Sequence, residues 1–243
     1  MALKIGSARH DENGKYTGGK AGDQTGGEVS TQAYYNHSKG WRVFRAKKAA
    51  QRKKIAAAMK AACENNKIGY DQSQRGTLYA AAAKVDFDPS KVTTACETDC
   101  SATVRVCCAY AGIELADFNT SSEPNVLLNS KQFNEVTDTI TAKTGAGLMN
   151  GDILVTKSKG HTVIVVSGGA SEKTTTTTAA KQTATVTAAN ALNIRKGGGT
   201  QYAVVAVVKR GETVTVEEKG ATWSKITYNK TTGYVNNKYI KFN

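Results

Sequence analysis

The sequence predicts an α+β domain, with helices packed on an antiparallel sheet, followed by a small all-β barrel. Four observations predict it. Residues 46–65 are rich in Ala, Lys, Arg and Gln, which are strong helix formers, and Ile55 and Met59 stand four apart to mark an inner face. Residues 74–85 read as a second helix, ended by the Asp88-Pro89-Ser90 turn. Two apolar, β-branched runs, residues 151–156 and 161–167, flank the polar turn Lys157 to Gly160 and read as adjacent strands. Beyond residue 190 the pattern changes to five short strands, at 191–195, 202–208, 213–217, 223–228 and 233–239. That spacing belongs to a small barrel.

Asp99-Cys100-Ser101-Ala102-Thr103-Val104 opens a further apolar helix. Unpaired N–H groups at a helix start favour a thiolate, so Cys100 is expected to have a lowered pKa and to be a candidate nucleophile. His161 is one of three histidines and starts the second strand of the 151–167 pair, beside Gly160. There an imidazole can face a cleft and accept the thiol proton. His10, beside Asp11 and Glu12, and His37, in a polar turn, are weaker candidates.

The segments DCSATV, GDILV and GHTVIVV, in this order, resemble the NlpC-type cell-wall cysteine peptidases, a papain-like fold. Ile68-Gly69-Tyr70-Asp71-Gln72 with Arg75 is similar to the tyrosine-bearing segment upstream of the cysteine in phage peptidoglycan hydrolases of this group. The resemblance covers roughly residues 65 to 170, with Ala102 in place of the usual glycine. It implies Cys100 as nucleophile, His161 as base and Tyr70 as a hydroxyl donor near the oxyanion. It implies neither a cofactor nor a metal.

Such domains place a third polar residue on a strand after the histidine strand. Here Ser167 to Ser171 runs into the polar tract Thr174 to Thr178, so the missing strands must come from elsewhere. Residues 28–35 and 41–45 have strand-like composition and are expected to form an N-terminal hairpin that joins the catalytic sheet. The glycine-dense segment Gly18 to Gly27 resembles a Gly-Asp-Gln-Thr-Gly stretch of some phage lysins. On that likeness Asp23 is expected to orient His161, or Gln24 to donate to the oxyanion.

The C-terminal runs LNIRKGGGTQY, VVKRGETVTV and WSKITYNKTTGYVNNKYI resemble bacterial SH3-type cell-wall-binding domains. Tyr202, Trp223, Tyr228 and Tyr234 are the expected wall-binding aromatics. The expected organisation is a catalytic domain over 1–170, a Thr-rich linker over 171–185 and the barrel over 186–243.

Charge agrees with an anionic wall. The chain carries a net +13, and residues 173–243 hold eleven Lys and Arg against three Glu. The basic cluster from Arg45 to Lys54 lacks interleaved aromatics, so no nucleic-acid partner is expected. The five cysteines lack the paired knuckles of a zinc site, and free thiols fit a reducing compartment. No apolar run reaches the roughly 18–20 residues of a membrane span, and the start has no apolar signal core.

These readings converge on a monomeric phage or prophage endolysin acting on peptidoglycan of Gram-positive bacteria. It is expected to be made in the host cytoplasm and to act on the wall after release. The bond cut is expected to lie in a stem peptide, with the N-acetylmuramoyl-L-alanine amide as the alternative and a non-catalytic wall-binding protein as the lesser reading.

Overall fold

Four of six consecutive residues, Trp41, Val43, Phe44 and Ala46, are buried, and this strand is the spine of the N-terminal sheet. The computed structural model describes residues 2–170, 182–229 and 231–243. The chain divides into two units, Met1–Glu172 and Lys173–Asn243.

The first unit begins with β1 (Lys4–Ala8), β2 (Val29–Ala33), β3 (Trp41–Ala46), α1 (Ala49–Glu64), β4 (Ile68–Tyr70) and α2 (Thr77–Ala83). It continues with β5 (Cys96–Thr98), α3 (Cys100–Tyr110), α4 (Glu123–Asn129), β6 (Phe133–Val136), α5 (Thr139–Thr144), β7 (Ile153–Thr156) and β8 (Thr162–Ser167). Six strands form one antiparallel sheet in the order β2-β1-β8-β7-β3-β6. Ile55 and Met59 of α1 pack with Val104, Cys107 and Cys108 of α3 against Phe44, Ile153 and Ile164 of the sheet. Both helices therefore cover one face, and the fold is α+β.

The expected N-terminal hairpin does not form. Strands β2 and β3 both join the sheet, but β1, β8 and β7 lie between them. The strand beside the histidine strand is β1, which the sequence hides. Its Lys-Ile-Gly-Ser-Ala run is short and centred on a glycine, because a Cβ at Gly6 would come within 2.7 Å of Met59 Cγ on α1. Close helix packing thus removed the side chain that would have signalled a strand.

The second unit is all β: β9 (Thr183–Val186), β10 (Ala191–Arg195), β11 (Val204–Lys209), β12 (Thr213–Glu218), β13 (Trp223–Tyr228), β14 (Thr231–Asn236) and β15 (Ile240–Phe242). Their order is β11-β10-β14-β13-β12-β9-β15. Alternating Leu192 and Ile194, Val214 and Val216, and Ile226 and Val235 build its core. Of the expected linker, residues 171–181 lie outside the described residues. Thr183 to Thr185 are not linker but part of β9, paired with β12 and β15.

Candidate active site

Cys100 is held by the geometry of the helix start that it opens. The parallel pair β4 and β5 sets Tyr70 opposite Thr98, two residues before Cys100. Asp99 then caps α3, its Oδ1 accepting from the Ala102 N–H at 2.7 Å and from Ser101 Oγ at 2.9 Å. Arg75 fixes the cap from outside, with Nε donating to Asp99 Oδ2 at 2.6 Å and Nη1 to Asp117 at 2.9 Å. Cys100 itself is buried.

His161 lies in the turn before β8 and is clamped along its backbone. Its N–H donates to Thr156 Oγ1 at 3.0 Å, and its carbonyl accepts from the Thr156 N–H at 3.0 Å. The flanking residues are tied to one further segment: the Gly160 N–H donates to Thr120 Oγ1 at 3.2 Å and Thr162 Oγ1 to Glu123 Oε1 at 2.9 Å. The imidazole lies 6.5 Å from the Trp41 ring, which also stacks edge-on against His37 at 5.2 Å.

Cys100, His161 and Tyr70 line one cleft of about 730 Å³. Arg9, Gln32, Tyr35, His37 and Lys39 complete its wall from β1, β2 and the loop after them. Nothing local in the sequence places these residues on a cleft, because they reach it through a strand order that differs from the expected hairpin. His37, expected as a weaker candidate in a polar turn, stands on the cleft, whereas His10 is exposed and bonds to the neighbouring Asp11 carbonyl.

The electrostatics reverse one expectation. The Cys100 thiol is not lowered but pushed up to about 12, by burial first and then by the Asp99 and Glu123 carboxyls. Hydrogen bonds from the Thr162 and Ser101 N–H groups pull the other way and are outweighed. His161 is pushed down to about 4 by burial, with His37 and Arg9 adding to the shift. At neutral pH the resting pair is therefore a neutral thiol and a neutral imidazole, so the base must take the proton as the sulfur attacks. Burial also raises the Tyr70 phenol, which keeps its proton and accepts from Gln72 Nε2 at 3.0 Å.

Asp23 and Gln24 are not on the cleft, which corrects the expectation for both. Asp23 Oδ1 accepts from the Thr25, Gly26 and Gly27 N–H groups, and Oδ2 from those of Glu28 and Val29. Gln24 Nε2 donates to the Ala21 and Gly22 carbonyls. The loop is a support for Tyr70. Glu28 Oε2 accepts the Tyr70 N–H at 3.0 Å, and a Cβ at Gly69 would lie 2.6 Å from the Gly22 carbonyl. Glycines are needed here so that two backbones can touch. Asp152 of the GDILV segment is likewise structural, with Arg45 Nε and Nη2 gripping its two oxygens at 2.8 and 2.7 Å.

In the second unit a groove of about 370 Å³ is lined by Leu192, Arg195, Trp223, Asn236 and Tyr239, among others. Of the four expected wall-binding aromatics only Trp223 lines it. Tyr228 donates its hydroxyl to Glu212 at 2.7 Å, Tyr202 stands exposed over Gly197, and Tyr234 is part-buried. Tyr239, unremarked in the sequence, is exposed on the groove.

Among the described residues no helix is long and apolar enough to cross a membrane. Residues 5–172 match the model of the endolysin-like domain, and residues 190–241 that of the bacterial SH3 domain. The chain is also similar to the "Probable endopeptidase p60" of Listeria seeligeri, 44% identical over 62 residues, which is 25% of this chain and 12% of that protein. Against the protein of the same name from Listeria innocua it is 46% identical over 55 residues, 22% of this chain and 12% of that one. The match thus spans about an eighth of these relatives. With over two thirds of its length matched by one family model, the chain belongs to the endolysin-like domain family.

Proposed function

We propose that this chain is a peptidoglycan hydrolase that cuts an amide bond in the wall stem peptide, with Cys100 as nucleophile, His161 as base and Tyr70 as an oxyanion donor. The observation that carries this reading is the shared cleft of these three side chains. As Sγ bonds to the substrate carbonyl carbon, the thiol proton passes to the imidazole. The tetrahedral oxyanion is met by the Tyr70 hydroxyl and backbone N–H groups at the start of α3. His161 then protonates the leaving amine, and water, deprotonated by the same imidazole, releases the thioester as a carboxylic acid. The family match and the p60 likeness support wall chemistry, and the basic C-terminal unit supports retention on an anionic wall, with residues 1–170 as the catalytic part and the unit beyond it as the anchor.

Mass spectrometry of digested Gram-positive peptidoglycan tests the assignment. A new amino terminus inside the stem peptide, absent with Cys100→Ser, is the expected result. Release of intact stem peptides with free L-alanine amino termini would instead identify an N-acetylmuramoyl-L-alanine amidase.

A further inference from the structure

Arg9 leaves β1 on the wall of the cleft, half-buried, with its charge poorly matched. Its Nη2 donates to the Ser30 carbonyl at 3.0 Å, which fixes the guanidinium against β2. Among the described residues its Nε, shielded from water, has no hydrogen-bond partner, and Arg9 makes no salt bridge. A guanidinium carries five donors, so most of this one is unspent. The neighbouring Cys63 thiol does not neutralise it, because burial pushes that group up to about 12. Lys39 adds a second cation to the same wall, and among the described residues no Asp or Glu lines the cleft. Burial lowers the Arg9 pKa, the mark of a cation that has lost water without gaining a counter-ion.

We propose that Arg9 is a specificity-determining residue that receives a carboxylate of the substrate peptide, so that the cleft selects stem peptides with a free carboxyl group near the scissile bond. This rests on the hydrolase reading above and adds the substrate class. The fork geometry of a guanidinium suits a carboxylate and gains nothing comparable from the neutral amide of an amidated peptide. The partly desolvated setting strengthens that preference.

The test uses soluble muropeptides released from Gram-positive walls by a muramidase, so that wall retention plays no part. One half is left untreated, and the other has its carboxylates converted to carboxamides with carbodiimide and ammonia. The parent protein should cleave the amidated set with kcat/KM lower by roughly tenfold or more, the discrimination expected from one charge-assisted hydrogen bond, with most of the loss in KM. Arg9→Gln should cleave the untreated set at that lower level and treat both sets alike, and Arg9→Lys should keep part of the discrimination. Equal cleavage of both sets by an active parent overturns the proposal while leaving the hydrolase reading intact. Discrimination that persists unchanged in Arg9→Gln overturns the assignment to Arg9. The parent comparison stands even where a variant does not fold. Failure of the parent to cleave either set would instead refute the hydrolase reading itself, and this inference with it.

Discussion

Thr162 Oγ1 donates to Glu123 Oε1 at 2.9 Å, tying the residue after His161 to a fully buried carboxyl group at the start of α4. Burial raises the Glu123 pKa well above its ordinary value, and the hydrogen bond it accepts from Thr162 ties β8 to the start of α4. Together with Thr120 on the Gly160 N–H, it grips both sides of the candidate base.

If that grip positions His161, Thr162→Val should lower turnover by roughly tenfold, the order of effect expected when a catalytic group is slightly misplaced. Glu123→Gln, neutral and of the same shape, should stay near the parental rate. Muropeptide cleavage rates with thermal melts check both, and an active Thr162→Val with a silent melt would remove Glu123 from the account.

The pH profile follows from the direction of the His161 shift. The imidazole works as a base only when neutral, and burial moves its protonation down to about 4. Activity should therefore hold from pH 8 to about 5 and fall as pH drops through about 4. A fall centred near the ordinary histidine value of about 6.5 would show that His161 is solvated rather than buried. His161→Ala should lose roughly 100-fold or more.

The thiol makes the opposite prediction from a preformed thiolate. With Cys100 pushed up to about 12, iodoacetamide at pH 7.5 should label it more slowly than free cysteine does. Mass spectrometry of the labelled peptide measures this directly, and faster labelling would mean that the helix start outweighs burial.

Glu97 gives a stability signature. Its Oε1 accepts the Gly22 N–H at 2.8 Å, its Oε2 has no partner among the described residues, and burial raises its pKa to about 7. The folded state thus holds a proton that the unfolded chain releases near its ordinary value, so stability is lost as pH rises from about 4.5 to about 7. Melting temperature should drop across that window by a few degrees in the parent and by less in Glu97→Gln. An equal drop in both would assign the effect elsewhere.

Helices α1, α2 and α3, the β7 and β8 pair and the central strands of the second unit are legible because their buried faces repeat at the period of the element, as with Ile55 and Met59 on α1 and Leu192 and Ile194 on β10, whereas the short α4 and α5 carry no such signal. Cys100 and His161 stand out as candidates because a capped helix start and a glycine-led strand are local patterns. What failed was long-range. Nothing near Lys4–Ala8 says that it pairs with β8, so neither the sheet order nor the Arg9, Gln32 and His37 side of the cleft could be read. The Asp23 loop looked like a site because a glycine-rich loop around a carboxylate suits either ligand or backbone. Here five N–H groups of its own loop occupy the carboxylate.

That occupancy changes what Asp23→Ala should do. Removing the acceptor strands several N–H groups and should cost about 2–4 kcal/mol of stability, seen as a lowered melting temperature. Gln24→Ala, on an exposed side chain, should be nearly silent. Lost turnover in Asp23→Ala at an unchanged melting temperature would return Asp23 to the chemistry.

The central claim is that Cys100 is the attacking atom, and the rate of muropeptide cleavage by Cys100→Ser tests it most directly. A neutral hydroxyl beside this imidazole is a far poorer nucleophile than the sulfur. The variant should melt as the parent does, bind walls as the parent does, and cleave at least roughly 1,000-fold more slowly. Cleavage by Cys100→Ser at the parental rate would contradict the account.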